Sequence, residues 1–139
     1  MATKLNYRVD NNMEALVAFS ELLHRERSYN ELPLPVRYAL DLAAEEMISN
    51  IIKYGYDDRN RHEIAVETVY GGGEVTLTLR DDGHPFDPLH DAAEADLTQD
   101  IAARPVGGVG ILLTRQLTRQ MRYRREGRYN VLTMVIGGK

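Results

Sequence analysis

Between residues 74 and 80 apolar and polar positions alternate without a break: Val75, Leu77 and Leu79 on one side, Thr76, Thr78 and Arg80 on the other. A period of two is the period of a strand with one buried face. The stretch "HEIAVETVY", residues 62–70, reads as its partner, joined through Gly71, Gly72 and Gly73 as a hairpin with a long glycine turn. Alternation also marks a first strand in residues 4–10 and a closing hairpin, 120–126 and 129–136, turning at Gly127. Elsewhere the period lengthens to 3.6. Asp10 or Asn11 is placed to cap a helix with Met13, Leu16, Val17, Ser20 and Leu23 on one stripe. Pro33 and Pro35 suit the opening of a second helix that runs to about Tyr54 and stops at Gly55. A third helix, with Val109, Leu112, Leu113 and Leu117 apolar, follows a cluster of glycines. Residues 83–106 follow neither period, apart from a short helix expected near 96–104. The order is strand, two helices, two strands, loop, helix, two strands. It predicts an α+β two-layer sandwich, with a largely antiparallel mixed sheet and the helices on one face.

Composition narrows this picture only a little. A chain of 139 residues suits a single domain, 1–139, around one core. The absence of cysteine removes disulfides and thiolate metal sites. Every apolar run is too short to span a membrane, and the first ten residues lack an apolar signal core, so a cytoplasmic domain is expected. A net charge of −4 argues against general attraction to nucleic acid. Arg115, Arg119, Arg122, Arg124, Arg125 and Arg128 nevertheless form a local basic cluster. It is read first as a solvated helix and strand face; a role on DNA would show as salt-sensitive binding to any duplex.

Three segments carry candidate chemistry. On the second helix Val36, Leu40, Ala43, Met47, Ile51 and Tyr54 form an apolar stripe. Glu46 and Asn50 fall on its edge one turn apart, while Glu45 falls opposite. A carboxylate and a carboxamide against a core face need partners. They are either a buried hydrogen-bonded pair or the wall of a site, with Glu46 as a base and Asn50 offering an oxygen to Mg²⁺. In "LRDDGHPFDP", Asp81 and Asp82 end a strand at Gly83. This is either turn chemistry or a carboxylate aimed into a pocket, where it would accept from an exocyclic amine. Gly83 would then let a base slide over the backbone, with Pro85 and Phe86 stiffening and lining the floor. In "RPVGGVGILLTRQL", Gly107, Gly108 and Gly110 lead into a helix. The spacing is neither the dinucleotide-binding nor the P-loop pattern. The free first-turn N–H groups at Val109, Gly110, Ile111 and Leu112 could still hold an oxyanion.

Taken together, "EMISNIIKYGY", "DDGHPFDP", "RPVGGVGILLTRQL" and "RREGRYNVLTMV" resemble the GHKL ATP-binding fold, and within it the small bacterial anti-sigma-factor serine/threonine kinases. The resemblance spans nearly the whole chain and implies a Bergerat-type ATPase fold. It implies that Glu46 activates the attacking hydroxyl, that Asn50 binds Mg²⁺ bridging the phosphates and that Asp81 accepts from the adenine amine over Gly83. Gly107, Gly108 and Gly110 would meet the phosphates, and residues 88–106 would form an ATP lid. Arg104 would reach a phosphate or bridge to the lid, and Thr133 would stand near the adenine pocket, where Asn130 competes with it. Tyr54 stands where many relatives carry histidine. The implied activity is an ATP- and Mg²⁺-dependent protein serine/threonine kinase. It would phosphorylate an anti-anti-sigma (STAS) partner, sequester a sigma factor and pair as a homodimer. The alternative is a nucleotide-gated binding module of the same fold without kinase activity.

Overall fold

The computed structural model describes residues 2–90 and 108–138. Its elements are β1 (Thr3–Asp10), α1 (Met13–Arg25), α2 (Arg27–Asn30), α3 (Leu34–Tyr54), β2 (Glu63–Gly71), β3 (Glu74–Asp81), α4 (Gly108–Leu117), β4 (Gln120–Glu126) and β5 (Tyr129–Gly137). The five strands form one sheet in the order β1-β2-β3-β5-β4. Each junction is antiparallel, which narrows the expected mixed sheet to a purely antiparallel one among the described strands. The chain leaves the central strand β3 and returns through α4 to the edge strand β4. It then folds back as β5 into the place beside β3.

Alternation does its expected work in the sheet. Val75, Leu77 and Leu79 are fully buried, and so are Ile64 and Val66 on the neighbouring strand. Leu132, Met134 and Ile136 of β5 continue this face, against which Leu16, Phe19, Leu40, Met47, Ile48 and Ile111 pack from the helices. The two-layer sandwich follows: among the described residues the helices cover one sheet face and leave the other without a helical layer. The β2–β3 connection is tighter than the sequence suggests. Gly71 is still paired with Glu74, so the turn is only Gly72 and Gly73, both at positive φ. A two-residue turn with both φ values positive matches strand twist and favours glycine at both positions.

Helix faces depart from the predicted stripes in detail. Asn12, not Asp10 or Asn11, caps α1, its side chain accepting from the Ala15 N–H at 2.8 Å. The buried stripe of α1 is Leu16, Phe19 and Leu23, while Met13 and Val17 are exposed. The α1 sequence is apolar on several sides, so periodicity leaves the phase open. The short helix α2 was not foreseen. On α4 the inward residues are Ile111 and Thr114, with Leu113 and Leu117 outside. No helix among the described residues is long and apolar enough to cross a membrane. The short helix expected near 96–104 lies outside the described residues.

Candidate functional site

Three elements meet at one end of the sandwich: the C-terminal half of α3, the exit of β3 and the entry of β5. Between them lies a cavity of about 290 Å³, close to the small end of the range for small-molecule sites, about 300 Å³. Its apolar walls include Met47, Ile51, Phe86, Pro88 and Leu132, and its polar groups include Asn50, Asp81, His84 and Asn130. Largely apolar walls with a few convergent polar groups are the usual make-up of a site for a flat heterocycle.

The polar end is built around Asp81 and its cross-strand partner Asn130. Both are almost fully buried, at 5% and 6% exposed. Asp81 Oδ1 accepts from Asn130 Nδ2 at 3.0 Å and from the Gly83 N–H at 2.9 Å. Both bonds fall on the same oxygen, so Oδ2 takes part in neither. Asn130 is used from both ends. Its Nδ2 also donates to the His84 carbonyl at 3.0 Å. Its Oδ1 accepts from the Tyr123 hydroxyl, from Arg125 Nη1 at 3.2 Å and from the Phe86 N–H at 3.3 Å. Arg125 Nη1 donates in addition to the Gly83 carbonyl at 2.9 Å. One amide thus ties β3, β4, β5 and the 83–86 loop together and fixes the carboxylate. Burial pushes the Asp81 carboxyl above its ordinary range; the bonds from Asn130 and Gly83 oppose this, Asp82 adds to it, and Arg125 works against it.

Gly83 has a packing reason for lacking a side chain. A Cβ there would stand 2.6 Å from the Gly55 carbonyl oxygen and 2.9 Å from Asp81 Oδ1. The next residue, His84, donates its N–H to that same Gly55 carbonyl at 3.0 Å. The C-terminus of α3 is thereby tethered to the loop that leaves Asp81.

Glu46 and Asn50 are half-buried on α3 and Glu45 is exposed, as the helical projection expects. Asn50 lines the cavity. Glu46 lies one turn away under α4: a Cβ on Gly110 would stand 2.0 Å from Glu46 Oε2 and 2.5 Å from Cδ. The glycine lets the start of α4 lie directly against the carboxylate. Gly108 opens α4, followed by Val109, Gly110 and Ile111 in its first turn. A helix start leaves first-turn N–H groups without intrahelical acceptors. Thr114, one turn on and buried, donates its hydroxyl to the Gly110 carbonyl at 2.9 Å.

Of the residues singled out from sequence, the fold therefore gathers Asn50, Asp81 and Phe86 around the cavity, with Gly83 behind Asp81. Glu46 meets Gly110 one turn from Asn50, and Gly108, Val109 and Ile111 share the start of α4, with Ile111 packed in the core. Pro85 is exposed and does not line the cavity. Arg104 and Gly107 lie outside the described residues. Thr133 is a correction. In β5 the residues facing the helices are Asn130, Leu132, Met134 and Ile136, so Thr133 points to the other face of the sheet, opposite Thr78 and Arg122. Asn130 occupies the pocket-facing place. Tyr123, His84 and Pro88 also line the cavity and were not predicted as site residues. Asn130, which the sequence offers as the competitor of Thr133, owes its pocket-facing place to the register of β5 on β3, which sets it opposite Asp81.

Comparison with known proteins shows the family. The sequence model of the histidine kinase-like ATPase domain matches residues 9–136, nearly the whole chain. The chain belongs to this family of ATPase domains. It is also similar to the serine/threonine-protein kinase BtrW of Bordetella bronchiseptica, at 27% identity over 99 residues, covering 71% of this chain and 69% of BtrW. The family match runs from the end of β1 into β5, and the antiparallel five-stranded α+β sandwich is consistent with a domain of this kind.

Proposed function

We propose that the chain is an ATP-dependent protein serine/threonine kinase of the anti-sigma type, which phosphorylates a STAS-type partner and sequesters a sigma factor. The observation that carries the nucleotide part is the Asp81–Asn130 pair. A buried carboxylate has one oxygen engaged by two donors while its residue lines a largely apolar cavity. That arrangement suits the exocyclic amine of adenine, a donor, and disfavours guanine, which presents a carbonyl oxygen there. Similarity to a protein named as a serine/threonine kinase supports the phosphotransferase part.

The residues fit a magnesium nucleotide. Among the described residues no three His, Cys, Asp or Glu side chains are arranged to hold a metal. Mg²⁺ suits such a site, because it draws most of its ligands from phosphates and water. Asn50 is the side chain that would hold it, and when bound the ion neutralises phosphate charge. The start of α4 supplies backbone donors for phosphate oxygens. Glu46, held against Gly110, would orient the acceptor hydroxyl and take its proton.

The test is incubation of the chain with γ-labelled ATP, magnesium and candidate STAS proteins. Label on the partner, lost in Glu46→Ala by about 10²- to 10⁴-fold while ATP binding is kept, is the expected result. Binding of nucleotide and partner with no transferred label would replace the kinase by a nucleotide-gated binding module.

A further inference from the structure

The face of the sheet opposite the helices carries charge in an ordered way. Strand register places Ala65 between Arg8 and Arg80, and Val131 between Arg80 and Arg124. Arg8, Arg80 and Arg124 thus lie in one row across five strands, each about 10 Å from the next, twice the strand spacing. Arg122 lies two residues from Arg124 on the same face, and Arg128 lies in the adjoining turn. Val131, in the middle of the row, is 5% exposed although no helix among the described residues covers that side.

Other cations of this face are matched by acids: Lys4 pairs with Glu67, Arg61 with Asp10 and Glu63, and Arg119 with Glu74. Within the row itself Arg124, at the far end, pairs with Glu126. Arg8, Arg80, Arg122 and Arg128 have no carboxylate within ion-pair distance among the described residues. Two of them are held in place by an aromatic ring instead: the Arg80 guanidinium sits 4.1 Å from the centroid of Tyr129, and that of Arg128 5.3 Å. Ala65 leaves a shallow depression between Arg8 and Arg80, with Tyr129 at its side. Glu63 and Asp82 border this depression and are engaged by Arg61 and His62.

We infer that this sheet face is a docking surface for an acidic protein segment, whose carboxylates seat between Arg8 and Arg80 and along the row to Arg124. Guanidiniums spaced by strand register, with Arg80 held on the Tyr129 ring, suit successive carboxylates better than mobile lysines would. Charge also decides against the other occupants. The chain as a whole carries −4, so a nucleic acid approaching this row meets an acidic remainder. A second copy docked across a two-fold axis centred on the row would set arginine against arginine. The surface is on the opposite side of the sheet from the cavity, so a segment docked there leaves the nucleotide route open.

Fluorescence anisotropy with a labelled glutamate-rich peptide tests the inference, alongside a labelled DNA duplex and sedimentation of the protein alone. Wild type is expected to bind the peptide, more weakly as salt rises. The double variant Arg8→Ala/Arg80→Ala should lose at least about tenfold, as expected for removing charge-assisted bonds, with ATP binding and thermal unfolding unchanged. The single variant Tyr129→Leu, which removes the stacking ring, should lose part of that affinity. Equal peptide binding by wild type and double variant overturns the inference. So does tighter binding of the duplex than of the peptide, or a wild-type dimer that the double variant dissolves.

Discussion

An alanine at Gly110 would bring a methyl group within 2.0 Å of Glu46 Oε2, so the carboxylate must give way. The obstructing atoms are the far end of a flexible side chain, and the fold absorbs the change. Gly110→Ala is expected to keep cooperative unfolding close to wild type yet lower phosphoryl transfer toward the level of Glu46→Ala. A transfer assay beside a denaturation curve separates the two; full activity would remove Gly110 from the mechanism. Gly83 differs, because a methyl there meets the Gly55 carbonyl at 2.6 Å and Asp81 Oδ1 at 2.9 Å. Backbone has to move, and Gly83→Ala should cost about 1–3 kcal/mol of stability as well as nucleotide affinity. Residue type and spacing mark Asp81, Asn50 and Glu46 as candidates, each with a structural reading beside the functional one, and only the family resemblance gives them roles. Asn130 entered the sequence reading only as the competitor of Thr133, because its place rests on a partner 49 residues away, brought opposite by strand register. Thr133 was misplaced because β5 is apolar on both faces, with Val131 and Val135 on one and Leu132, Met134 and Ile136 on the other.

At the scale of elements, the junction between α3 and β2 is held by His62. Its Nε2 lies 2.8 Å from Asp58 Oδ1, its Nδ1 lies 3.1 Å from Asp82 Oδ1, and Tyr56 stacks on the ring at 4.1 Å. The hydrogen bond to Asp58 raises the imidazole pKa, partial burial opposes this, and the charges of Asp82 and Asp58 add to it. The same bond lowers the Asp58 carboxyl. A raised histidine stabilises the fold fully below its unfolded value, about 6.5, and loses that contribution as pH rises through the higher folded value. The lowered carboxylate contributes above its unfolded value, about 3.9, and fades as pH falls below it. The pair is therefore complete between those limits. Denaturation midpoints measured across neutral pH should fall as pH rises in wild type and stay flat in His62→Gln; identical slopes would mean the junction carries no pH dependence. The sequence showed this loop only as polar. It did show the sheet, because strict alternation leaves one phase, whereas α1, apolar on several sides, left its stripe undecided until Phe19 was seen buried and Val17 exposed.

For the whole molecule, the cavity exists only when the end of α3, β3 and β5 are assembled, so nucleotide should bind the folded chain alone. Mg²⁺-ATP at about 100 times its Kd should add about 2.7 kcal/mol and raise the Tm on the order of 10 °C. GTP should give a clearly smaller rise, since Asp81 cannot accept from a carbonyl oxygen. Equal shifts would place specificity elsewhere. Most of this architecture was written in the chain's periodicities. What they could not convey is which strand ends face each other across the sheet, and that is what builds the site.

The most direct test is a calorimetric titration of ATP with magnesium into the wild-type chain and into Asp81→Asn, which keeps the shape and replaces an acceptor oxygen by a donor. The account predicts saturable binding of one nucleotide per chain by wild type and a loss of at least about tenfold in the variant, as for a hydrogen bond to a charged group. Absence of heat from wild type, or equal affinity in both proteins, would contradict it.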